Sequence, residues 1–236
     1  MLGIVPARGG SKGIPRKNLA LLDGRPLIAW TIESALESGA FERLIVSTDD
    51  SEIAEVARRE GADVPFLRPA EFAGDVAPAI GVIRHALDAL GLALSDSSSS
   101  VAYLQPTSPF RTAAQLSEVV TLFENHRPDT LVSVQRVPHN MVPGAQMVPL
   151  GQSHPLWLES PADQVLRRQE KAVAYARNGP AILIVSARDV LEHGRLYGER
   201  VLGYEMDRLS SLDIDDPLDL DMARALAPLA KLREAQ

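Results

Sequence analysis

The sequence of 236 residues contains no cysteine. A chain without thiols can form no disulfide framework, thiolate metal site or cysteine nucleophile, so any chemistry must use oxygen and nitrogen groups. The absence of cysteine also fits a reducing compartment. No apolar run approaches the ~20 residues that a membrane-spanning helix needs, and the N-terminus turns basic and glycine-rich after a few apolar residues. We therefore expect a cytoplasmic protein without a membrane partner.

The sequence also lacks an excess of positive charge. Its 24 lysines and arginines against 31 aspartates and glutamates give a net charge of −7 at pH 7. Because affinity for a phosphate backbone depends on excess positive charge, this balance argues against a nucleic-acid partner. Residues 1–22 are an exception, since they hold Arg8, Lys12, Arg16 and Lys17 and no acid. A basic island on an acidic protein indicates a small, highly anionic ligand.

Short apolar segments alternate with amphipathic ones along most of the chain. Apolar residues make up 45% and charged residues 23%, which is typical of a soluble globular protein. The pattern predicts strands at 2–6, 43–47, 64–67, 101–105, 130–135, 181–185 and 201–205, and helices at 26–38, 49–60, 77–90, 112–126, 187–192 and 217–232. Such alternation predicts an α/β fold with a doubly wound, mostly parallel sheet. Ligands of these sheets bind at the carboxyl ends of the strands.

The alternation stops between residues 137 and 176, where five prolines interrupt it. Scattered apolar residues without a regular period are not typical of a further βα unit. We expect an inserted segment at 137–176 that leaves the main sheet. The α/β domain would then comprise residues 1–136 and 177–236.

A glycine-rich loop at residues 7–18 follows the first predicted strand. Its backbone amides can form an anion-binding nest, and its basic side chains can neutralise phosphates. The loop matches neither the Walker pattern GxxxxGK[ST] nor the dinucleotide pattern GxGxxG. A nucleoside triphosphate is the favoured ligand, and the alternative is an ordinary connector with solvated charges. Arg16, nearest the exposed turn, is expected to face solvent.

Several motifs in order resemble the acylneuraminate cytidylyltransferases, the CMP-sialic acid synthetase family. They are IVPARGGSKGIPRKN at 4–18, PLIAWTIESAL at 26–36, RLIVSTDD at 43–50, VPFLRP at 64–69, LQPTSPFRT at 104–112, RRQ at 167–169, RNG at 177–179 and LDIDDPLDL at 212–220. The resemblance implies the nucleotidyltransferase α/β fold, a homodimer joined through the insert and dependence on Mg²⁺. It implies transfer of CMP from CTP to the anomeric hydroxyl of a sialic-acid-like sugar acid, with release of pyrophosphate.

The resemblance also implies which residues form the site. In the loop, Arg8, Lys12 and Lys17 match catalytic positions, where they would stabilise charge on the phosphates. Lys17 is expected to steady the leaving pyrophosphate. The nucleotide-binding positions of the family are matched by Ala7, Arg8, Gly9, Ser11, Lys12, Lys17, Asn18, Arg68 and Ala77. The acceptor-binding positions are matched by Gln105, Arg168, Gln169 and Asn178.

The metal ligands of the family match Asp213 and Asp215. On an extended segment, residues two apart place both carboxylates on one side, where Mg²⁺ can bridge the protein and the phosphates. Helix capping is the alternative for the acids before the last helix, and we expect Asp216 to be the cap. Alternatives also exist for two acceptor-site residues. Gln105 could hold the following turn, and Asn178 with its glycine could form one.

The chain departs from the family pattern at two places. Pro78 and Ala79 stand where hydroxylated residues are typical, so recognition of cytosine would rest on Arg68 and on backbone groups of the glycine-rich loop. Leu183 stands where many members have tyrosine, so the acceptor could be legionaminic or pseudaminic acid, or another carboxylated or phosphonate alcohol. Two alternative functions stay open. One is a nucleotidyltransferase of the same fold that uses another base or a sugar 1-phosphate, and the other is a non-catalytic nucleotide-binding protein.

Overall fold

The computed structural model describes residues 1–74, 77–92, 100–139, 141, 147–149, 156–158 and 173–234. The strands are β1 (Leu2–Pro6), β2 (Leu21–Leu22), β3 (Arg25–Pro26), β4 (Arg43–Ser47), β5 (Ser100–Leu104), β6 (Thr130–Arg136), β7 (Met147–Pro149), β8 (Leu156–Leu158), β9 (Tyr175–Arg177), β10 (Ile182–Ser186) and β11 (Val201–Glu205). The α-helices are α1 (Leu27–Glu37), α2 (Ser51–Arg59), α3 (Ala79–Ala89), α4 (Ala113–His126), α5 (Ala187–Leu191) and α6 (Pro217–Glu234).

Within the described residues, the main sheet has seven strands in the order β11-β6-β10-β5-β1-β4, with β9 paired to β6 off this path. The pairs β1/β4, β1/β5 and β6/β11 are parallel. Only β10 and β9 run antiparallel to their neighbours in this sheet. Five of its strands therefore point the same way, and the prediction of a mostly parallel sheet is confirmed.

Helices cover both faces of this sheet. One apolar cluster joins the strands to Ile28 of α1, Ile53 of α2 and Leu116 of α4. A second cluster on the other face includes Ile83 of α3 and Val190 of α5. The strands β1, β4, β5 and β10 are short, mostly aliphatic runs because both of their faces are buried, as is typical of doubly wound sheets.

The strand predicted at 64–67 does not form. This segment makes only isolated bridges beside β4, between Ile45 and Asp63 and between Thr48 and Leu67. The physical reason is Pro65, which has no backbone N–H to donate to a ladder. The segment nevertheless follows the edge of the sheet and leads to Arg68, whose amide donates to the Thr48 carbonyl over 2.7 Å.

A third apolar cluster supports the segment that carries the predicted metal ligands. Helix α6 packs its alanines against Trp30 of α1 and Phe110, and Ile214 is fully buried among them. Asp216 caps α6 as expected, since its Oδ1 accepts from the Asp219 amide at 3.0 Å. Asp219 Oδ2 in return accepts from the Asp216 amide at 3.0 Å, which completes a reciprocal cap.

Two short strands in the predicted insert pair with each other. β7 and β8 form a separate antiparallel sheet. The predicted acceptor residues Arg168 and Gln169 lie outside the described residues. The division of the chain into an α/β domain and an insert stays a prediction. Among the helices of the described residues, none combines the length and the apolar character needed to cross a bilayer.

Candidate functional site

A cleft of about 310 Å³ opens at the carboxyl ends of β1 and β5, which is a volume typical of small-ligand sites. It lies at the sheet edge where doubly wound folds bind their ligands. Its wall combines residues from the glycine-rich loop, from three later loops and from α3. They are Pro6, Arg8, Gly10, Ser11, Lys17, Asn18, Arg68, Phe72, Gly74, Ala77, Val82, Tyr103, Gln105, Pro106, Thr107 and Asp215.

The glycine-rich loop is held in place by hydrogen bonds to its own backbone. Asn18 Nδ2 donates to the Arg8 carbonyl at 2.9 Å. The Ala7 amide donates to the carbonyl of Ser47 at the end of β4, over 3.0 Å. Gly13 lies so close to the Asp215 carbonyl oxygen that an added Cβ would overlap it. The loop therefore has a fixed path against both β4 and the segment before α6.

The basic residues of the loop occupy different positions. Arg8 lines the cleft and is half-buried, whereas Lys12 is exposed. Arg16, expected to face solvent, is 47% exposed, and its guanidinium pairs with Asp50 at 3.0 Å and Glu52 at 2.9 Å. Arg16 thus ties the outer part of the loop to the start of α2.

Lys17 brings the loop and the predicted metal ligands together. Its Nζ donates to the Ile214 carbonyl at 2.6 Å and lies 3.5 Å from Asp215 Oδ1. The side chain of Lys17 is only 15% exposed, while that of Asp215 is 80% exposed. The ammonium group of this loop residue therefore lies beside a carboxylate that is largely exposed.

Asp213 is the buried member of the acidic pair. Burial, with a smaller contribution from the nearby Asp215 charge, raises the pKa of Asp213, and the Thr107 hydroxyl and Lys17 oppose this shift. Asp213 Oδ1 is buried and has no hydrogen-bond partner among the described residues. A carboxylate oxygen without a donor suits a hard cation such as Mg²⁺. In the described ranges, no group of three or more His, Asp or Glu side chains is placed to hold a metal ion.

Arg68 forms the floor of the cleft. It is 5% exposed, and burial lowers the pKa of its guanidinium. Asp49 Oδ1 lies 3.8 Å from Arg68 Nη2 and also accepts from the Gly9 amide at 2.9 Å. Tyr103 is buried beside Arg68, and burial raises the pKa of its hydroxyl to about 12.

Gln105 and Thr107 form the wall opposite the loop. The Thr107 hydroxyl is 3.3 Å from Gln105 Oε1, and it also donates to Asp213. Beneath them, the fully buried Arg111 donates to the carbonyls of Ala181 at 2.5 Å and Gln105 at 3.4 Å. This wall therefore connects the predicted acceptor residue to the predicted metal ligand.

Asn178 is buried beneath the surface, unlike Gln105, which lines the cleft. Asn178 is 3% exposed and is not part of the cleft wall. Its Oδ1 accepts from the Ser133 hydroxyl at 2.6 Å, and its Nδ2 donates to the Ser211 hydroxyl at 2.9 Å. These hydrogen bonds give the Asn178 side chain a structural role other than the expected Asn-Gly turn, and its role toward an acceptor stays a prediction.

Three polar residues at the cleft were not predicted from the sequence. Asp49 and Thr107 follow the ends of β4 and β5 by two and three residues, within the motifs RLIVSTDD and LQPTSPFRT, and Arg111 lies in the second motif just before α4. For Asp49 and Thr107 the position after a buried strand was the available signal, because polar residues there lie at the ligand-binding edge.

Comparisons with known proteins identify the family of this chain. The family model described as cytidylyltransferase matches residues 2–236. The N-acylneuraminate cytidylyltransferase of Escherichia coli O18:K1:H7 is 38% identical over 224 residues, which are 94% of this chain and 51% of that protein. This chain thus spans about half the length of that relative. The CMP-N,N'-diacetyllegionaminic acid synthase of Legionella pneumophila is 34% identical, over 97% of both chains.

Solved structures support the fold. A CMP:2-keto-3-deoxy-manno-octonic acid synthetase complexed with CTP superposes with a TM-score of 0.67 at 16% identity, over 97% of this chain and 98% of the other. A 4-diphosphocytidyl-2C-methyl-D-erythritol synthase from Anaerococcus prevotii gives 0.62 at 11% identity, over 96% and 97%. At these identities the superpositions establish the fold alone. The match to the family along residues 2–236 goes further: this chain belongs to the cytidylyltransferase family.

Proposed function

We propose that this protein transfers CMP from CTP to the anomeric hydroxyl of a sialic-acid-like sugar acid and releases pyrophosphate. The observation that carries the proposal is the approach of Lys17 to Asp215, which sets a basic loop against a pair of acids across one cleft. The relatives are named for acylneuraminic, legionaminic and pseudaminic acids, which supports this substrate class.

The reaction requires stabilisation of negative charge on the phosphates. The hydroxyl oxygen of the acceptor bonds to the α-phosphorus, the bond from that phosphorus to the bridging oxygen breaks, and the hydroxyl proton is released. Negative charge grows on the phosphate oxygens, so positioning and electrostatic stabilisation dominate catalysis. Arg8 and Lys12 would hold the triphosphate, and Lys17 would stabilise the departing pyrophosphate. Gln105, on the opposite wall, would orient the acceptor.

The acidic pair fits Mg²⁺. Asp213 and Asp215 would hold the ion, and the buried Asp213 Oδ1 without a donor is the observation that supports this role. When bound, the ion would neutralise charge on the triphosphate. Lys17, close to both carboxylates, would then be available to the phosphates.

Pyrophosphate release measured with each of the four nucleoside triphosphates, against a panel of nine-carbon and eight-carbon keto sugar acids, tests the proposal. We expect activity with CTP, a nine-carbon acid and Mg²⁺, and loss of activity with EDTA. Activity with another triphosphate or with a sugar 1-phosphate would favour the second enzyme hypothesis. Nucleotide binding without release in any combination would favour a binding protein.

The proposal also includes a homodimer and a cytoplasmic location. Light scattering coupled to size-exclusion chromatography is expected to give twice the chain mass of 25.5 kDa. A monomer at all micromolar concentrations would contradict the dimer. Because CTP is a metabolite of the cell interior, fractionation is expected to recover the activity with cytoplasmic markers.

A further inference from the structure

Asp49 connects two parts of the cleft that would bind opposite ends of a nucleotide. It directly follows Thr48 at the end of β4, and its Oδ1 accepts from the Gly9 amide in the glycine-rich loop at 2.9 Å. The same oxygen lies 3.8 Å from Arg68 Nη2 on the cleft floor. One carboxylate oxygen therefore sets how far the loop lies from Arg68.

Arg68 depends on this carboxylate. Its side chain is only 3% exposed, and a buried guanidinium is costly without an opposite charge. Arg8 adds a second positive charge nearby, which disfavours the charged form of Arg68. Two neighbours favour the charged form of Arg68, namely Tyr103 and the carboxylate of Asp49, which lies 3.8 Å from Nη2.

The spacing leaves Arg68 able to bind a ligand. At 3.8 Å the contact with Asp49 is an ion pair longer than a hydrogen bond, and Arg68 Nε is buried without a hydrogen-bond partner among the described residues. The Arg68 amide is fixed by the Thr48 carbonyl at 2.7 Å. The negative charge of Asp49 thus orients the Arg68 guanidinium without forming a hydrogen bond to it, so the N–H groups of Arg68 stay available to a ligand.

We propose that Asp49 is a positioning residue that makes the cleft selective for cytosine, by holding Arg68 at a fixed distance from the triphosphate loop. A guanidinium only donates hydrogen bonds. Cytosine presents acceptors at O2 and N3, whereas uracil carries a hydrogen on N3, so a rigidly held Arg68 favours cytosine. The inference rests on the proposed function. The dependence on Arg68 is strengthened by Pro78 and Ala79, which offer no side-chain hydroxyl.

The neighbouring Asp50 provides a matched control. Its Oδ1 accepts from the amides of Glu52 at 2.9 Å and Ile53 at 3.1 Å, so that it caps α2, and it pairs with Arg16. Asparagine is also a good cap, so Asp50→Asn preserves the helix start. The same change one residue earlier, Asp49→Asn, keeps an oxygen for the Gly9 amide and removes the charge that faces Arg68.

The experiment is calorimetric binding of CTP, UTP and inorganic tripolyphosphate, in the presence of Mg²⁺ and without an acceptor. We expect Asp49→Asn to weaken CTP binding about tenfold and to lower the CTP to UTP affinity ratio by at least about fivefold. Binding of tripolyphosphate should change by less than about twofold, because the loop keeps its hydrogen bond to residue 49. Asp50→Asn should leave the affinity ratio unchanged.

A wild-type affinity ratio in folded Asp49→Asn overturns the inference, as does an equal loss of selectivity in Asp50→Asn. If Asp49→Asn does not fold, Asp49→Glu keeps the charge but moves it by one methylene, and it is expected to lower the ratio as well. A wild-type ratio in Asp49→Glu then overturns the inference. Failure of the wild-type protein to bind CTP would contradict the proposed function instead.

Discussion

The ammonium group of Lys17 donates a hydrogen bond of 2.6 Å to the backbone carbonyl of Ile214, a residue 197 positions further along the chain. This contact joins the glycine-rich loop after β1 to the acidic segment before α6. Because the fully buried Ile214 side chain anchors that segment in the third apolar cluster, the contact fixes the loop relative to both carboxylates.

Replacement of Lys17 by methionine keeps the aliphatic stem and removes the charge. We expect kcat for pyrophosphate release to fall about 10²–10³-fold, as when one transition-state donor is removed. The free energy of unfolding should fall by only about 1 kcal/mol, the net value of one hydrogen bond. Steady-state kinetics and urea unfolding measure the two quantities. Lys231→Met, which removes an exposed ammonium group that pairs with Asp23, is the control for a general charge effect. Wild-type turnover in Lys17→Met would contradict the assigned role.

Asp213→Asn is expected to raise the stability of the protein at pH 7 and to abolish its activity. The pKa of Asp213 is raised, so the folded protein binds this proton more readily than the unfolded chain does, and the ionised form is destabilising. This cost appears as the pH rises from 3.8 through the raised pKa, and it is fully present above it. In EDTA at pH 7 the variant should therefore be more stable than wild type, and the difference should vanish below pH 3.8. CMP transfer should be lost. Urea midpoints at both pH values and an activity assay test this, and a variant less stable at pH 7 would contradict it.

Gly13 has no room for a side chain. A Cβ there would overlap the Asp215 carbonyl oxygen, and backbone cannot give way as a flexible side chain can. Gly13→Ala should displace the loop and raise KM for CTP by about tenfold or more, since small displacements of positioning groups are costly. Gly203→Ala in β11 is the matched control, because a Cβ there makes an ordinary van der Waals contact with Val134 at 3.6 Å and Gly203 is not part of the cleft wall. Equal KM values for the two variants would show that the contact with Asp215 is unimportant.

Arg111 stabilises the wall that carries Gln105. Burial lowers the pKa of Arg111 to about 9, so the group remains charged at pH 7. Arg111→Met would leave the Thr31 hydroxyl and the Ala181 and Gln105 carbonyls without this donor. We expect a loss of about 3 kcal/mol in the free energy of unfolding, because buried groups left unpaired cost about 1–3 kcal/mol each. Urea unfolding measures the loss, and an unchanged midpoint would mean that the wall does not need the guanidinium.

Much of the fold could be predicted from local sequence patterns. The strands Arg43–Ser47 and Val201–Glu205 were predicted with their observed bounds, and in the first an aliphatic run forms a buried strand. The prediction of a strand at 64–67 was wrong, because Pro65 has no backbone N–H for a strand ladder even though the segment is apolar. The hairpin of β2 and β3 was missed, although Asp-Gly is a dipeptide typical of hairpin turns. In the structure Asp23 and Gly24 both have the positive φ of such a turn.

The shared side of the acidic pair could be expected from spacing, whereas its metal role came from the family resemblance and stays a prediction. Asp213 and Asp215 flank a buried isoleucine, so the period of an extended chain places both carboxylates on the other side. The role of Asp49 could not be predicted, since its contacts with Gly9 and Arg68 require β1 to pair with β4. Arg111 was missed because charged residues are rarely fully buried. Its burial depends on α1, β5 and the start of β10 meeting around it.

Both the amide and the carbonyl of Ile214 form hydrogen bonds to other segments. Its amide donates to the Thr107 carbonyl over 2.8 Å, while its carbonyl accepts from Lys17. Through this one residue, repacking of the interior behind Ile214 would displace both Thr107 and Lys17 of the glycine-rich loop. Substitutions at Trp30 or Phe110 would therefore change the KM values for both substrates together, although neither side chain lines the cleft. Screens for altered specificity would then recover substitutions at residues that do not touch a substrate.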